Sequence, residues 1–326
     1  MTTTPLPALP RLAPDRSARV LRAVAIASCA PYLALKTAWL SGSRVGIPEG
    51  SVLLERPALV AVANGVTVLM DAAVIVLALL LTQRWGMRVR AGLLAFPMWV
   101  ATGLLVPIMV GFPAQLVAEA VGGGQPLATR PSEPFLDAWV FPVVYGGFIV
   151  QGLALGALFV RYARGRWARL WRGTVWELSA SVSGPVLRGV ALAASLALLV
   201  PAGLHIGWAS GMTAGLTPAQ IAEATPDFQV LEAARALYAA AAVAGTLLLV
   251  FRRGRPLPVK VPLALAWTGS GAVACWGGWL LLSALAPVSD AAKEPTALLT
   301  LTYAGEMITG TVLACCVAVF LRRRAT

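Results

Sequence analysis

A chain of 326 residues that is 58% hydrophobic and only 12% charged, with a mean hydropathy of +0.78, is too apolar to fold as a water-soluble globule. Its net charge of +12 would suit a nucleic-acid partner, but the basic residues sit in short segments between apolar runs rather than on one face. That distribution argues against nucleic acid and for a membrane.

Eight apolar runs reach the roughly 18 to 20 residues that cross a ~30 Å hydrocarbon core. They cover about 20–41, 57–82, 91–112, 138–160, 186–208, 230–251, 262–286 and 297–321. Residues 1–18 are polar, proline-rich and basic and read as a disordered cytoplasmic tail, with no cleavable signal peptide expected. Most Lys and Arg fall in that tail, in the loops near 84–90, 161–188 and 252–260, and at Arg322, Arg323 and Arg324. The alternate loops near 42–56, 113–137, 209–229 and 287–296 hold only Arg44, Arg56, Arg130 and Lys293, with most of the acids. By the positive-inside rule both termini are cytoplasmic. The excess of arginine over lysine fits a GC-rich bacterial genome, hence a bacterial plasma membrane.

Span one carries Tyr32, Lys36 and Trp39 on one helix face and closes on Leu35-Lys36-Thr37-Ala38-Trp39-Leu40-Ser41-Gly42-Ser43-Arg44-Val45-Gly46. Span two carries Asn64 and Asp71, again on one face, and ends at the basic turn Gln83-Arg84-Trp85-Gly86. In span three Pro97 and Pro107 flank Trp99, Thr102 and Gly103, and a bend is expected there. The loop 113–137, with Gly122-Gly123-Gly124, Pro126, Pro131 and Pro134, reads as the longest and most flexible connection. Span four holds Tyr145, Gly147 and Gln151-Gly152. From Arg161 to Ser183, Trp167, Leu170, Trp171 and Leu178 recur at helical spacing beside arginines. That pattern reads as an amphipathic helix in the cytoplasmic interface, its arginines on anionic headgroups.

The second half repeats the first. Leu35-x-x-x-Trp39-x-Ser41-Gly42-x-x-x-Gly46 returns as Leu204-x-x-x-Trp208-x-Ser210-Gly211-x-x-x-Gly215. Trp99 to Gly103 is echoed by Trp267-Thr268-Gly269-Ser270-Gly271, Arg84-Trp85-Gly86 by Arg252-Arg253-Gly254, and Tyr145-x-Gly147 by Tyr303-x-Gly305. Matches in the same order and at nearly constant offset are the mark of a duplication. The expected fold is an all-α polytopic membrane protein of eight transmembrane helices, arranged as two parallel four-helix repeats with a pseudo-twofold axis along the membrane normal. The repeats cover 19–160 and 185–326, with 161–184 as the interfacial linker.

Ionisable groups inside spans are costly and face a protein interior or water. Here they are Lys36, Asp71, His205, Glu306, and Glu232 with Arg235, the last two three apart and expected to bridge each other. At ~1.5 Å per residue, Lys36 lies roughly 8 Å deep, Tyr303 and Glu306 roughly 9 and 13 Å, and Asp71 roughly 21 Å. Lys36 is therefore expected to pair with Glu306, within a pocket completed by His205, Tyr32, Tyr145, Tyr303, Asn64 and Gln151, with Asp71 deeper on a proton path. The bland readings are that Lys36 snorkels to the interface and that Asp71 is a neutral acid hydrogen-bonded to Thr102. By offset Lys36 aligns with His205, Asn64 with Glu232, Asp71 with Ala239, Phe148 with Glu306 and Gln151 with Thr309. Tryptophans and glycines are shared, and the polar positions differ, as for a symmetric frame around an asymmetric site.

No phosphate-binding loop, metal motif or nucleophile elbow is present, so no cofactor or metal is expected. Cys29, Cys275, Cys315 and Cys316 lie in spans, where free cysteine acts as a small apolar residue. Three readings stay open: a transporter of a small solute or ion with an outward-opening pocket and proton coupling; an intramembrane enzyme on a lipid or isoprenoid-type substrate with Glu306 as general acid; and a structural or assembly subunit.

Overall fold

The computed structural model describes residues 16–55, 57–120, 136–222, 224–254, 256–286 and 290–325. Most of the expected tail, at 1–15, and the part of the long loop at 121–135, with Gly122, Gly123, Gly124 and Arg130, lie outside these residues. The helices are α1 (Arg16–Ala27), α2 (Ala30–Leu40), α3 (Val52–Glu55), α4 (Pro57–Thr82), α5 (Ala91–Ala120), α6 (Val140–Trp167), α7 (Pro185–Ala209), α8 (Pro218–Ala222), α9 (Pro226–Val250), α10 (Lys260–Ala284) and α11 (Ala297–Ala325).

Among the described residues, seven stretches are long and apolar enough to cross a bilayer: Arg16–Leu40, Val60–Thr82, Ala91–Ala118, Val140–Leu170, Pro185–Ala209, Pro226–Val250 and Ala297–Ala325. The further long helix, α10, has 25 residues but carries Trp267, Gly269, Ser270, Gly271, Trp276 and Gly277 through its middle. It is less apolar than the others because it is enclosed, packing on α5, α9 and α11. Eight apolar spans were expected; the described residues hold seven such stretches and this packed helix.

The burial pattern is that of a protein in lipid. His205, Thr246 and Ser270 are buried, as are Asp71 and Glu306, whereas Leu69 is 70% and Val186 76% exposed. Polar groups inside and large apolar side chains outside invert the soluble arrangement, and water could not tolerate that outer surface.

Local chemistry explains where the helices break. Pro31 has no N–H to donate to the carbonyl of Ala27, so the first span divides into α1 and α2 at Ser28–Cys29. By contrast, α5 continues through Pro97, Pro107 and Pro113 and runs to Ala120. The two copies of the Trp-x-Ser-Gly motif are helix ends of one construction. Gly42 and Gly211 adopt φ of 89° and 92°, the left-handed position that ends a helix cheaply only for glycine. The N–H of Ser43 bonds back to Ala38 O and that of Met212 to Gly207 O, each at 2.9 Å. Trp39 Nε1 donates to Val45 O at 2.7 Å and Trp208 Nε1 to Ala214 O at 3.0 Å, tying each turn to its helix.

The pair α1 and α2 packs on α4 and α6, and α7 packs on α9 and α11. Likewise α5 packs on α6 and α10 on α11. The halves meet where α5 crosses α10, with Gly103 against Gly271; a Cβ on Gly271 would come 3.2 Å from Gly103 Cα. A Cβ on Gly103 would come 2.3 Å from Gly271 O, so only glycine at 103 permits that approach. Around it the tryptophans exchange hydrogen bonds: Trp99 Nε1 donates to Ser270 Oγ at 3.1 Å and Trp267 Nε1 to Thr102 Oγ1 at 3.2 Å.

At the arginine-rich end, the helix expected over 161–183 is replaced by the last turns of α6 and three short 3-10 turns at Ala168–Leu170, Val175–Glu177 and Ala180–Val182. Val175, Leu178 and Val182 are buried against Leu249, Val259 and Phe320, so the apolar side of this segment packs on protein. Helical spacing misled here because Gly173, at φ 80°, and Gly184, with extended backbone before Pro185, break the run. Trp176 remains 61% exposed.

Candidate functional site

The polar groups expected in one pocket form two clusters. The first lies between α2, α4 and α6. Lys36 Nζ donates to Asn64 Oδ1 at 2.7 Å and lies 4.8 Å from the centre of the Tyr32 ring and 4.9 Å from that of Trp39. Lys36 thus turns to Asn64 instead of Glu306, and two aromatic faces hold its ammonium. Tyr32 packs edge-on to Phe148 at 4.9 Å and reaches Thr67 with its hydroxyl. Deeper, Asp71 is within hydrogen-bonding reach of Gln151, and both side chains are buried. Asp71 does not bond Thr102, whose hydroxyl donates to Met98 O at 2.7 Å and accepts from Trp267.

The second cluster joins α7, α9 and α11. His205 Nε2 lies 2.8 Å from Glu306 Oε1, and its Nδ1 is bonded to Glu232 Oε2. Arg235 Nη2 donates to Glu306 Oε2 at 2.6 Å, with its guanidinium 5.3 Å from the centre of the Tyr303 ring. Glu232 and Arg235 do not bridge each other as expected; each takes its partner from another helix. Helix spacing makes the two neighbours on one face, but it is the adjoining helices that offer a second acid and an imidazole.

Donors and acceptors in this cluster do not balance without an added proton. Carboxylate oxygens only accept, and a neutral imidazole has one donating nitrogen. Both nitrogens of His205 meet carboxylate oxygens, so the Glu232–His205–Glu306 chain holds one proton more than a neutral imidazole and two carboxylates would. With that proton the four side chains, Arg235 included, sum to zero; without it they carry one negative charge. His205, Glu232 and Glu306 are buried and Arg235 is half-buried, and an unbalanced charge there is expensive.

A cavity of about 420 Å³ opens between the halves, bordered by α5, α6, α9, α10 and α11. Glu232, Arg235 and Glu306 line it, together with Phe112, Tyr145, Trp276 and Tyr303. Gln220 of α8, in the connection after α7, also lines it, so the cavity reaches the end of the bundle opposite the arginine-rich loops. Among the described residues, Arg235 Nε and the Tyr238 hydroxyl beside the cavity have no hydrogen-bond partner.

Of the residues singled out from sequence, Glu306, Tyr303 and Tyr145 line the cavity and His205 stands behind Glu306. Lys36, Asn64, Asp71, Tyr32 and Gln151 lie in the other cluster. Glu232 and Arg235 were undervalued, although a signal existed. Lys36 with Asn64 and His205 with Glu232 are matched pairs by offset, and in each half the pair is in contact. One pair would have pointed to the other.

These features define a multi-pass, all-helical membrane protein. Comparison with protein-family models, with curated proteins and with solved structures finds no match.

Proposed function

We propose that this chain is a proton-coupled transporter of a small solute, with eight crossings arranged as two parallel four-helix repeats in a bacterial plasma membrane. Both termini face the cytoplasm, the cavity opens outward, and the arginines of 161–188 rest on anionic headgroups. The reading is supported chiefly by one observation: a cavity between the halves is lined by Glu232, Arg235 and Glu306, and both nitrogens of His205 meet those two carboxylates. Such a cluster gives a transporter what it needs, a site whose charge changes with proton occupancy next to a space for a solute. The repeat is supported by the matched helix ends and by the reciprocal tryptophan bonds at the crossing of α5 and α10.

An intramembrane enzyme with Glu306 as general acid draws on the same aromatic walls. Both Glu306 oxygens, however, are engaged, by His205 and by Arg235, so a general-acid role would require one of those bonds to be exchanged for the substrate. A purely structural subunit accounts for neither the cavity nor the cluster.

The test is reconstitution into liposomes containing a pH-sensitive dye, followed by external addition of small solutes that are cationic, anionic or neutral. We expect at least one class to change lumenal pH with the native protein and not with Glu306→Gln. If no class does so, the transport reading fails.

A further inference from the structure

Resting on the transport reading, we infer that the solute is a small organic cation carrying an apolar or aromatic group, exchanged for the proton of the Glu232–His205–Glu306 chain. Charge supplies the first argument. The charged side chains that line the cavity are two carboxylates and one guanidinium, with His205 bonded to both carboxylates. Every titratable or charged group facing His205 belongs to this set: Glu232 and Arg235 from α9, and Glu306 with the Tyr303 phenol from α11. When the proton leaves, one negative charge remains beside an enclosed space. A monovalent cation restores neutrality, whereas an anion would meet two carboxylates.

The walls supply the second argument. Phe112, Tyr145, Trp276 and Tyr303 line the same space. Aromatic faces attract a cation through their quadrupole while accepting apolar groups. This molecule already uses the interaction for three cations: Lys36 over Tyr32 and Trp39, Arg166 over Tyr162 and Trp167, and Arg235 over Tyr303. A cavity of about 420 Å³ admits a solute larger than an inorganic ion.

The exchange balances in charge. The cation enters as the protonated chain gives its proton to water, and the cluster passes from neutral through one negative charge back to neutral. No step needs another reactant. Proton and cation therefore compete for the same state of the site.

Benzyltrimethylammonium is a suitable probe because its charge is fixed and it carries no proton itself. In detergent, calorimetric titration of the native protein in two buffers of different ionisation enthalpy reads the protons released on binding. We expect about one proton per cation bound, and an apparent affinity that rises about tenfold per pH unit while the chain carries its proton. Binding without proton release overturns the exchange. In liposomes, external benzyltrimethylammonium should raise lumenal pH, and Glu306→Gln should abolish that rise. Glu232→Gln, which leaves the bond between Arg235 and Glu306 in place, serves as a second variant. If benzenesulfonate instead drives a pH change that Glu306→Gln removes, the cation assignment is overturned and transport stands. If neither ion nor a neutral solute such as benzyl alcohol moves protons, transport itself falls.

Discussion

At the scale of single residues, the chemistry is decided by partners rather than by type. Lys36 and His205 occupy matching positions, yet one is held by an amide and two rings and the other by two carboxylates. A double-mutant cycle should separate the clusters. For His205→Gln with Glu306→Gln we expect a coupling of about 1–3 kcal/mol in unfolding stability, the range for residues sharing one hydrogen-bond network. Lys36→Met with Glu306→Gln should be additive within about 0.5 kcal/mol, because those side chains share no partner. Thermal unfolding in detergent reads both. The Lys36–Glu306 pair suggested by depth did not form because depth along the normal fixes only one coordinate. Which helices are neighbours fixes the other two, and α2 faces α4 and α6 rather than α11.

At the scale of elements, the α5–α10 crossing carries the contact between halves. In lipid, helices gain little from apolar burial and depend on close packing and interhelical hydrogen bonds. We expect Gly103→Val to destabilise the protein by about 1–3 kcal/mol, as overpacking does, since its side chain would meet the Gly271 backbone. Trp99→Phe and Trp267→Phe should each cost about 0.6 kcal/mol, the mean for such bonds in a membrane protein. Near-equal losses in thermal unfolding are expected because the two bonds are reciprocal, whereas very unequal losses would count against equivalent roles. The helix ends were legible in sequence, since Trp, Ser and two glycines at fixed spacing leave few other conformations. The linker after α6 was not. Its apolar residues recur at helical spacing, but its glycines set the backbone.

At the scale of the whole molecule, orientation follows from charge. In a background lacking Cys29, Cys275, Cys315 and Cys316, Ser210→Cys should react with a membrane-impermeant maleimide added to intact cells, and Arg169→Cys only after permeabilisation. The opposite result would invert the molecule and turn the cavity toward the cytoplasm. Sequence alone determined that the chain is helical and lives in a bilayer, because apolar runs of that length satisfy their backbone in lipid only as helices. It also marked the two Trp-x-Ser-Gly helix ends, because a helix cap demands particular residues at particular spacings. The tertiary structure alone decided that the polar residues divide into two clusters, that Glu232 and Arg235 belong with His205 and Glu306, and that a cavity ends there. The physical reason is that a buried charge is defined by whatever lies across from it on other helices, and no spacing along one chain records that distance.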